Sequence, residues 1–182
     1  TATVTVLDNI TPNPICQDIT IELDNAGNVS IVGTDIDNGS TDNCPMTFSV
    51  APYAFICDNL GLNQVRMTVY DAAGNEAECT AIVTVQDNIY PTPKCQDITV
   101  GVDITGNVTI MPSDIDNGST DNCDFTLSLD ISAFSCDDLG DNPIVMTTVD
   151  IANNMMTCQA NVHVDDYIIP TPKCKDITAA LD

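Results

Sequence analysis

The 182-residue sequence predicts an all-β chain of tandem immunoglobulin-like sandwich repeats with a 79-residue period. Three observations carry that expectation. The cysteines stand at 16, 44, 57, 79, 95, 123, 136, 158 and 174, and a shift of 79 residues maps the first five onto the last five. Apolar and polar residues alternate over short runs, and no stretch carries a helical stripe. Clusters of Asp, Asn and Gly separate those runs as turn signals.

The repeat organises the chain. Asp35–Cys44 recurs unchanged at 114–123, and Cys16-Gln17-Asp18-Ile19-Thr20 recurs at 95–99 and, in altered form, at 174–178. Residues 1–7 read as the last strand of a preceding repeat, because Val4-Thr5-Val6 matches Val83-Thr84-Val85. Residues 8–86 and 87–165 are complete repeats, and 166–182 begin another, so the sequence reads as cut from a longer protein.

Within one repeat, Ile19, Ile21 and Leu23 mark the first strand. Shorter candidates lie near 28–32 and 46–50. Val65, Met67 and Val69 mark a later strand, and Cys79, Ala81, Val83 and Val85 mark the last. Turns fall at Asp24–Asn28, Asn38-Gly39 and Asp71–Asn75. About six or seven strands per repeat suit a two-layer sandwich better than a small barrel. In the second repeat Asn153 stands where the first has Gly74, and Asn tolerates left-handed backbone.

Four Lys and Arg against 27 Asp and Glu give a formal charge of −23. Nucleic acid and anionic membrane surfaces are thereby excluded as partners, since both need a basic patch. No apolar run approaches the ~18 residues that span a bilayer, so no membrane insertion is expected in this segment. Asp makes up 24 of the 27 acids, which suits turns and caps. Apolar residues at 43 % and nine cysteines oppose disorder and indicate an oxidising compartment. The first residues lack the basic start and apolar core of a signal peptide.

Four cysteines per repeat allow three pairings. In a tandem array the chain crosses each repeat from a near end to a far end. Cys16 sits near the start, and the last strand must finish at the far end, which leaves its first residues, with Cys79, at the near end. The expected pairs are Cys16–Cys79 and, by elimination, Cys44–Cys57. The second repeat gives Cys95–Cys158 and Cys123–Cys136, and Cys174 is left unpaired within the fragment. Zn²⁺ is the weaker reading, because there is no CxxC and only one His.

The same tracing brings Asp8, Asp35, Asp37, Asp42 and Asp71 toward one end of the first repeat, with carbonyls from Asn9, Asn38 and Asn43. The second set is Asp87, Asp114, Asp116, Asp121 and Asp150. Carboxylates packed together repel unless a cation sits among them, and Ca²⁺ takes oxygen ligands in flexible geometry. Ca²⁺ at each repeat junction is therefore the expected cofactor. The competing reading gives these acids only turn and solubility roles. Asp35-x-Asp37-x-Gly39 is no EF-hand, since Gly comes one place early and Met46 occupies the twelfth position. Pro12-x-Pro14, Pro91-x-Pro93 and Pro170-x-Pro172 keep the linkers extended, which suits a rod whose partners are the neighbouring repeats of the same chain.

Catalysis finds no support. His163 is the single His, on the polar side of a strand, and no nucleophile–base pair repeats. Carboxylate pairs of the glycosidase kind are compatible with the composition, yet an exact duplication of a catalytic site along an array would be unusual. Sequons at Asn9, Asn28, Asn38, Asn107 and Asn117 matter only in a host with N-glycosylation. Tyr53, Tyr70, Tyr90 and Tyr167 are scattered, which favours a spacer over a binding face.

Three segments carry a family resemblance: Val85-x-Asp87-Asn88-x-x-Pro91-x-Pro93-x-Cys95, Thr120-Asp121-Asn122-Cys123, and Asp71-x-x-Gly74-Asn75-x-x-x-Cys79-x-Ala81-x-Val83-x-Val85. Each repeat resembles the HYR (hyalin) repeat in a four-cysteine bacterial form, over essentially the whole chain. The resemblance implies an extracellular adhesion module, as in giant cell-surface adhesins of gliding bacteria exported by the type 9 system. In the HYR pattern the first and last cysteines match Cys16 and Cys79. The linker also resembles the Asp-Asn-x-x-Pro of cadherin junctions, where Ca²⁺ rigidifies. The expected function is a stalk of a large surface adhesin on the bacterial cell surface. A glycan or protein ligand would be held by other domains. The alternatives are direct ligand binding by these repeats and an extracellular filament.

Overall fold

The computed structural model describes residues 1–179 and is all-β apart from single helical turns. Ala180, Leu181 and Asp182, the end of the segment expected to begin another repeat, lie outside the described residues.

Period-two patterning yields strands where it was read. The first repeat forms β1 (Ile19–Glu22), β2 (Asn28–Ser30), β3 (Met46–Ala51), β4 (Ala54–Ile56), β5 (Gly61–Asp71) and β6 (Glu76–Gln86). One sheet has the order β1-β6-β5-β3, and β2 with β4 forms a second, two-stranded layer. β1 runs parallel to β6, with Ile19 opposite Val83 and Glu22 opposite Gln86. β5 and β6 form an antiparallel hairpin, and β3 lies antiparallel to β5 with Met46 opposite Asp71. Phe55 of one layer packs with Val65, Met67, Val83 and Val85 of the other, all essentially inaccessible. This is an immunoglobulin-like β-sandwich.

The second repeat forms β7 (Ile98–Gly101), β8 (Asn107–Thr109), β9 (Phe125–Leu129), β10 (Ala133–Ser135), β11 (Gly140–Asp150) and β12 (Met155–Asp165). Its sheets have the orders β7-β12-β11-β9 and β10-β8. Its core residues Val102, Ile110, Ile115, Phe134, Ile144, Met146, Ala160, Val162 and Val164 stand 79 places after Leu23, Ile31, Ile36, Phe55, Val65, Met67, Ala81, Val83 and Val85. Thr148 replaces Val69 and is fully buried.

By contact the chain divides into two compact units. The first holds Thr1–Thr92 with Thr120–Thr126 and Val149–Met156; the second holds Pro93–Ser119, Leu127–Thr148 and the residues from Thr157 onward. Two loops of the second repeat thus belong to the first unit, which a division at 86/87 does not anticipate. The cause is direct. Asn122 donates to the Asp24 carbonyl and to Asp87, Asn154 donates to the Asp87 and Ile89 carbonyls, and Cys123 is bonded to Cys57.

Residues 1–7 form no strand, contrary to expectation. β6 is held by ladders to β5 and β1 on its two sides, whereas Thr1–Leu7 has neither among the described residues, and Val4 and Val6 are 84 and 90 % exposed. The periodicity also misses two single turns of helix, α1 (Gly33–Ile36) and α2 (Pro112–Ile115). Four residues are too short for a stripe. They close because Asp35 accepts from the Val32 N–H (2.7 Å) and Asp114 accepts from the Met111 N–H (2.7 Å). Gly33 has no alternative: a Cβ there would lie 2.2 Å from the Phe48 Cβ.

Cys16–Cys79 and Cys95–Cys158 are bonded, with Cα–Cα distances of 5.8 Å in each. The expected Cys44–Cys57 and Cys123–Cys136 bridges are replaced by Cys57–Cys123, and Cys44, Cys136 and Cys174 are free. The reason is the path of the first repeat. Cys44 precedes β3, at the end where Met46 faces Asp71. Cys57 follows β4 and lies beside Gly27, in the turn just past Glu22, at the opposite end where β1 and β6 finish. A disulfide needs Cα atoms within about 7 Å, so these two cannot meet.

Candidate metal centre

Backbone geometry delivers the acids. The linker before each repeat is pinned to its 36–41 loop: Asn13 exchanges backbone hydrogen bonds with Thr41, and the Asn38 N–H donates to the Ile15 carbonyl. Thr92 and Thr120 do the same in the second copy. The β5–β6 turn closes on Asp71, whose Oδ1 accepts from the Ala73 and Asn75 N–H groups. Asn75 then reaches from that turn to the Asp8 and Ile10 carbonyls, and Asn154 repeats the contact to Asp87 and Ile89.

Two clusters result, both within the first unit. Asp87, Asp121 and Asp150 place carboxylate oxygens within 4.8 Å of one another, and so do Asp8, Asp42 and the Cys44 thiol. Asp87 and Asp150 are buried, at 5 and 4 % exposure. Every Asp150 oxygen is used by Asn154, at 2.7 and 2.8 Å. Asp87 Oδ1 accepts from the Ile89 N–H and from Asn122, and Asp121 Oδ2 accepts from the Cys123 N–H. The remaining oxygens, Asp87 Oδ2, Asp121 Oδ1 and Asn122 Oδ1, are buried with no hydrogen-bond partner, as is Asp42 Oδ1 in the other cluster.

Six of the ten expected ligands lie at or beside these clusters, with Asp71 near enough for its charge to act on Cys44. The other four do not converge. Asp35 and Asp114 cap the one-turn helices, and Asp37 and Asp116 cap the N–H groups of Ser40 and Ser119. Those four are turn residues, as the competing reading held. Asn122, at the repeat position of the expected Asn43, is an oxygen donor that the second expected set did not name. Asn43, its counterpart, points its amide N–H at Asp8 Oδ2.

The electrostatics differ between the two groups. Burial, followed by the charges of Asp150 and Asp87, pushes the Asp121 carboxyl above the ordinary range. At Asp71 burial acts upward but hydrogen bonds from Asn75, Ala73 and Gly74 prevail, and the carboxyl lies below that range. The hydrogen bond to Asp8 raises the Cys44 thiol to about 11, aided by burial and by the charges of Asp8, Asp42 and Asp71. The turn-capping Asp116 is lowered by the Ser119 hydroxyl.

Buried carboxylate and amide oxygens without donors are costly unless a cation meets them. The Asp87–Asp121–Asp150 set with Asn122 offers only hard oxygen donors, because Cys123 is consumed by its bridge. That chemistry fits Ca²⁺.

No protein-family model matches the sequence, and no curated protein does. Solved structures with similar coordinates include cadherin ectodomain fragments. Human protocadherin-24 EC1-2 has 12 % identity and a TM-score of 0.41, over 87 % of this chain and 100 % of that one. Drosophila N-cadherin EC1-4 has 10 % identity and a TM-score of 0.39, over 87 % of this chain and 50 % of that one. The PcdhgB3 EC1-4 fragment has 9 % identity and a TM-score of 0.37. This chain covers 51 % of it, about half its length.

Proposed function

We propose that these repeats are a stalk segment of a secreted cell-surface adhesin, of the bacterial type the HYR-like motifs imply, with Ca²⁺ bound at Asp87, Asp121, Asp150 and Asn122. The observation that carries the reading is the set of orphaned buried oxygens, Asp87 Oδ2, Asp121 Oδ1 and Asn122 Oδ1, gathered beside the Cys57–Cys123 bridge. Like charges are held there by linker, loop and hairpin turn at once, so a cation would lock three segments to one another. The equivalent cluster at Asp8 and Asp42 would bind more weakly, because its third member is the Cys44 thiol, a poor ligand for a hard cation. Three disulfides support an oxidising, extracellular setting.

The test is calcium titration followed by calorimetry and thermal melting. Extracellular modules bind Ca²⁺ with Kd of about 10⁻⁴–10⁻³ M, and tenfold excess over Kd adds about 1.4 kcal/mol of stability. The transition should rise by several degrees with Ca²⁺ and fall back with EGTA. Asp121→Asn should remove most of the heat of binding. A melt indifferent to both additions overturns the calcium reading.

A further inference from the structure

A shift of 79 residues carries Cys44 onto Cys123 and Cys57 onto Cys136. The bonded pair Cys57–Cys123 and the free pair Cys44 and Cys136 are therefore the same two positions, each taken from the other copy. We propose that Cys136 and Cys44 are the two open halves of further bridges of the Cys57–Cys123 kind, through which this chain is covalently joined, head to tail, to other repeats of its own type.

Both thiols are held as their bonded counterparts are. Cys57 Sγ lies 3.9 Å from the Gly27 carbonyl oxygen, and Cys136 Sγ lies 3.7 Å from that of Gly106. In each case the glycine makes room for sulfur: a Cβ at Gly27 would stand 2.7 Å from Cys57 Sγ, and one at Gly106 would stand 2.8 Å from Cys136 Sγ. Both glycines have positive φ, 71 and 78°. On the other half, the Cys123 N–H donates to Asp121 at 3.0 Å and the Cys44 N–H donates to Asp42 at 2.8 Å. The preceding asparagines match too, Asn122 donating to Asp87 and Asn43 to Asp8. Cys136 is exposed and Cys44 half-buried. The two halves are different positions of the repeat, so the contact is heterologous and forms a ring or an open chain rather than a two-fold dimer.

The chemistry is thiol–disulfide exchange. Two thiols lose two electrons and two protons to a small-molecule disulfide such as oxidised glutathione, which leaves as two thiols while one S–S bond forms. The partner cysteine can come from a second chain or from a further repeat of the same polypeptide, and two experiments separate these.

In the first, the full chain is incubated with a glutathione redox buffer containing EGTA, then alkylated and mapped by mass spectrometry without reduction. Covalent oligomers linked by a Cys44–Cys136 peptide are expected from a second chain, abolished by Cys136→Ser and kept in Cys174→Ser. In the second, the chain carries one more copy of residues 87–165 inserted after Asp165. Cys136 is then expected to bond the added copy of Cys123 within one molecule and to escape alkylation. Either linkage supports the proposal and identifies its source. Its overturn is a map in which Cys16–Cys79 and Cys57–Cys123 are intact, showing a folded chain, while Cys136 is alkylated in both experiments. EGTA keeps this outcome independent of calcium.

Discussion

His163, the single histidine, is held between two carboxylates. Its Nδ1 lies 2.6 Å from Asp141 Oδ1 and its Nε2 3.4 Å from Asp165 Oδ1. The hydrogen bond to Asp141, ahead of an opposing burial effect and the charges of Asp165 and Asp141, raises the imidazole pKa above its ordinary value. The same bond, with one from Asn161, lowers the Asp141 carboxyl. The signs define a window. The raised imidazole stabilises the fold fully below the unfolded pKa of about 6.5, and that contribution is lost as pH rises through the folded value. The lowered carboxyl contributes above its unfolded pKa, and its share is lost as pH falls through the folded value. Titration of the imidazole C–H signals by NMR should give a midpoint above 6.5, returning toward 6.5 in Asp141→Asn; an unmoved midpoint would show that the pair is not formed in solution. At the other backbone extreme, Asn153 has φ 71° where Gly74 has 92°. Asn153→Gly should leave the melting temperature nearly unchanged. Asn153→Val, which puts a β-branched residue in the left-handed region, should cost on the order of 1–3 kcal/mol by denaturant unfolding.

Among the elements, β1, β2, β3, β5 and β6 were legible, and β4 and the helical turns were not. β5 and β6 run 11 residues each with a buried side, and their alternation is plain in Val65, Met67, Val69, Ala81, Val83 and Val85. β4 has three residues and α1 four, too few for any period, and only their caps and contacts define them. The site divides in the same way. Asp87, Asp121 and Asp150 were legible because turns and linker share one end of the sandwich, whereas Asp35 and Asp37 sit on that loop but face its own backbone N–H groups. The Cys57 pairing was hidden by counting connectivities within one repeat, although a shift of 79 residues permits a bond to the next copy equally well. The Cys16–Cys79 bridge closes a separation of 63 residues, joining the linker to the fourth residue of β6. By chain entropy its loss should cost about 4 kcal/mol as an upper figure. Urea unfolding of Cys16→Ser with Cys79→Ser should show a lower midpoint, while a midpoint equal to that of the parent would mean that the sandwich core alone holds the linker. In the core, Met67→Ala should cost about 2–5 kcal/mol, because Met67 is fully buried between the layers.

Over the whole molecule, charge opposes what the cores and bridges achieve. A formal charge of −23 with four Lys and Arg leaves most carboxylates without a cationic partner, and Arg66–Glu78 is the one Lys or Arg ion pair among the described residues. Self-repulsion of this kind weakens the folded state and is screened by any salt. Raising NaCl from about 10 to 150 mM shortens the Debye length from about 30 to about 8 Å, so both repeats should melt higher with sodium alone. Calcium at millimolar concentration adds the same general screening together with binding at Asp87, Asp121 and Asp150. Measured at matched ionic strength, the parent chain should melt several degrees higher in CaCl₂ than in NaCl. Asp121→Asn combined with Asp42→Asn should erase that difference and retain the response to NaCl, because two charges removed from 27 acids barely alter the overall field. If the parent melted identically in the two salts, the acids would act only through their collective charge.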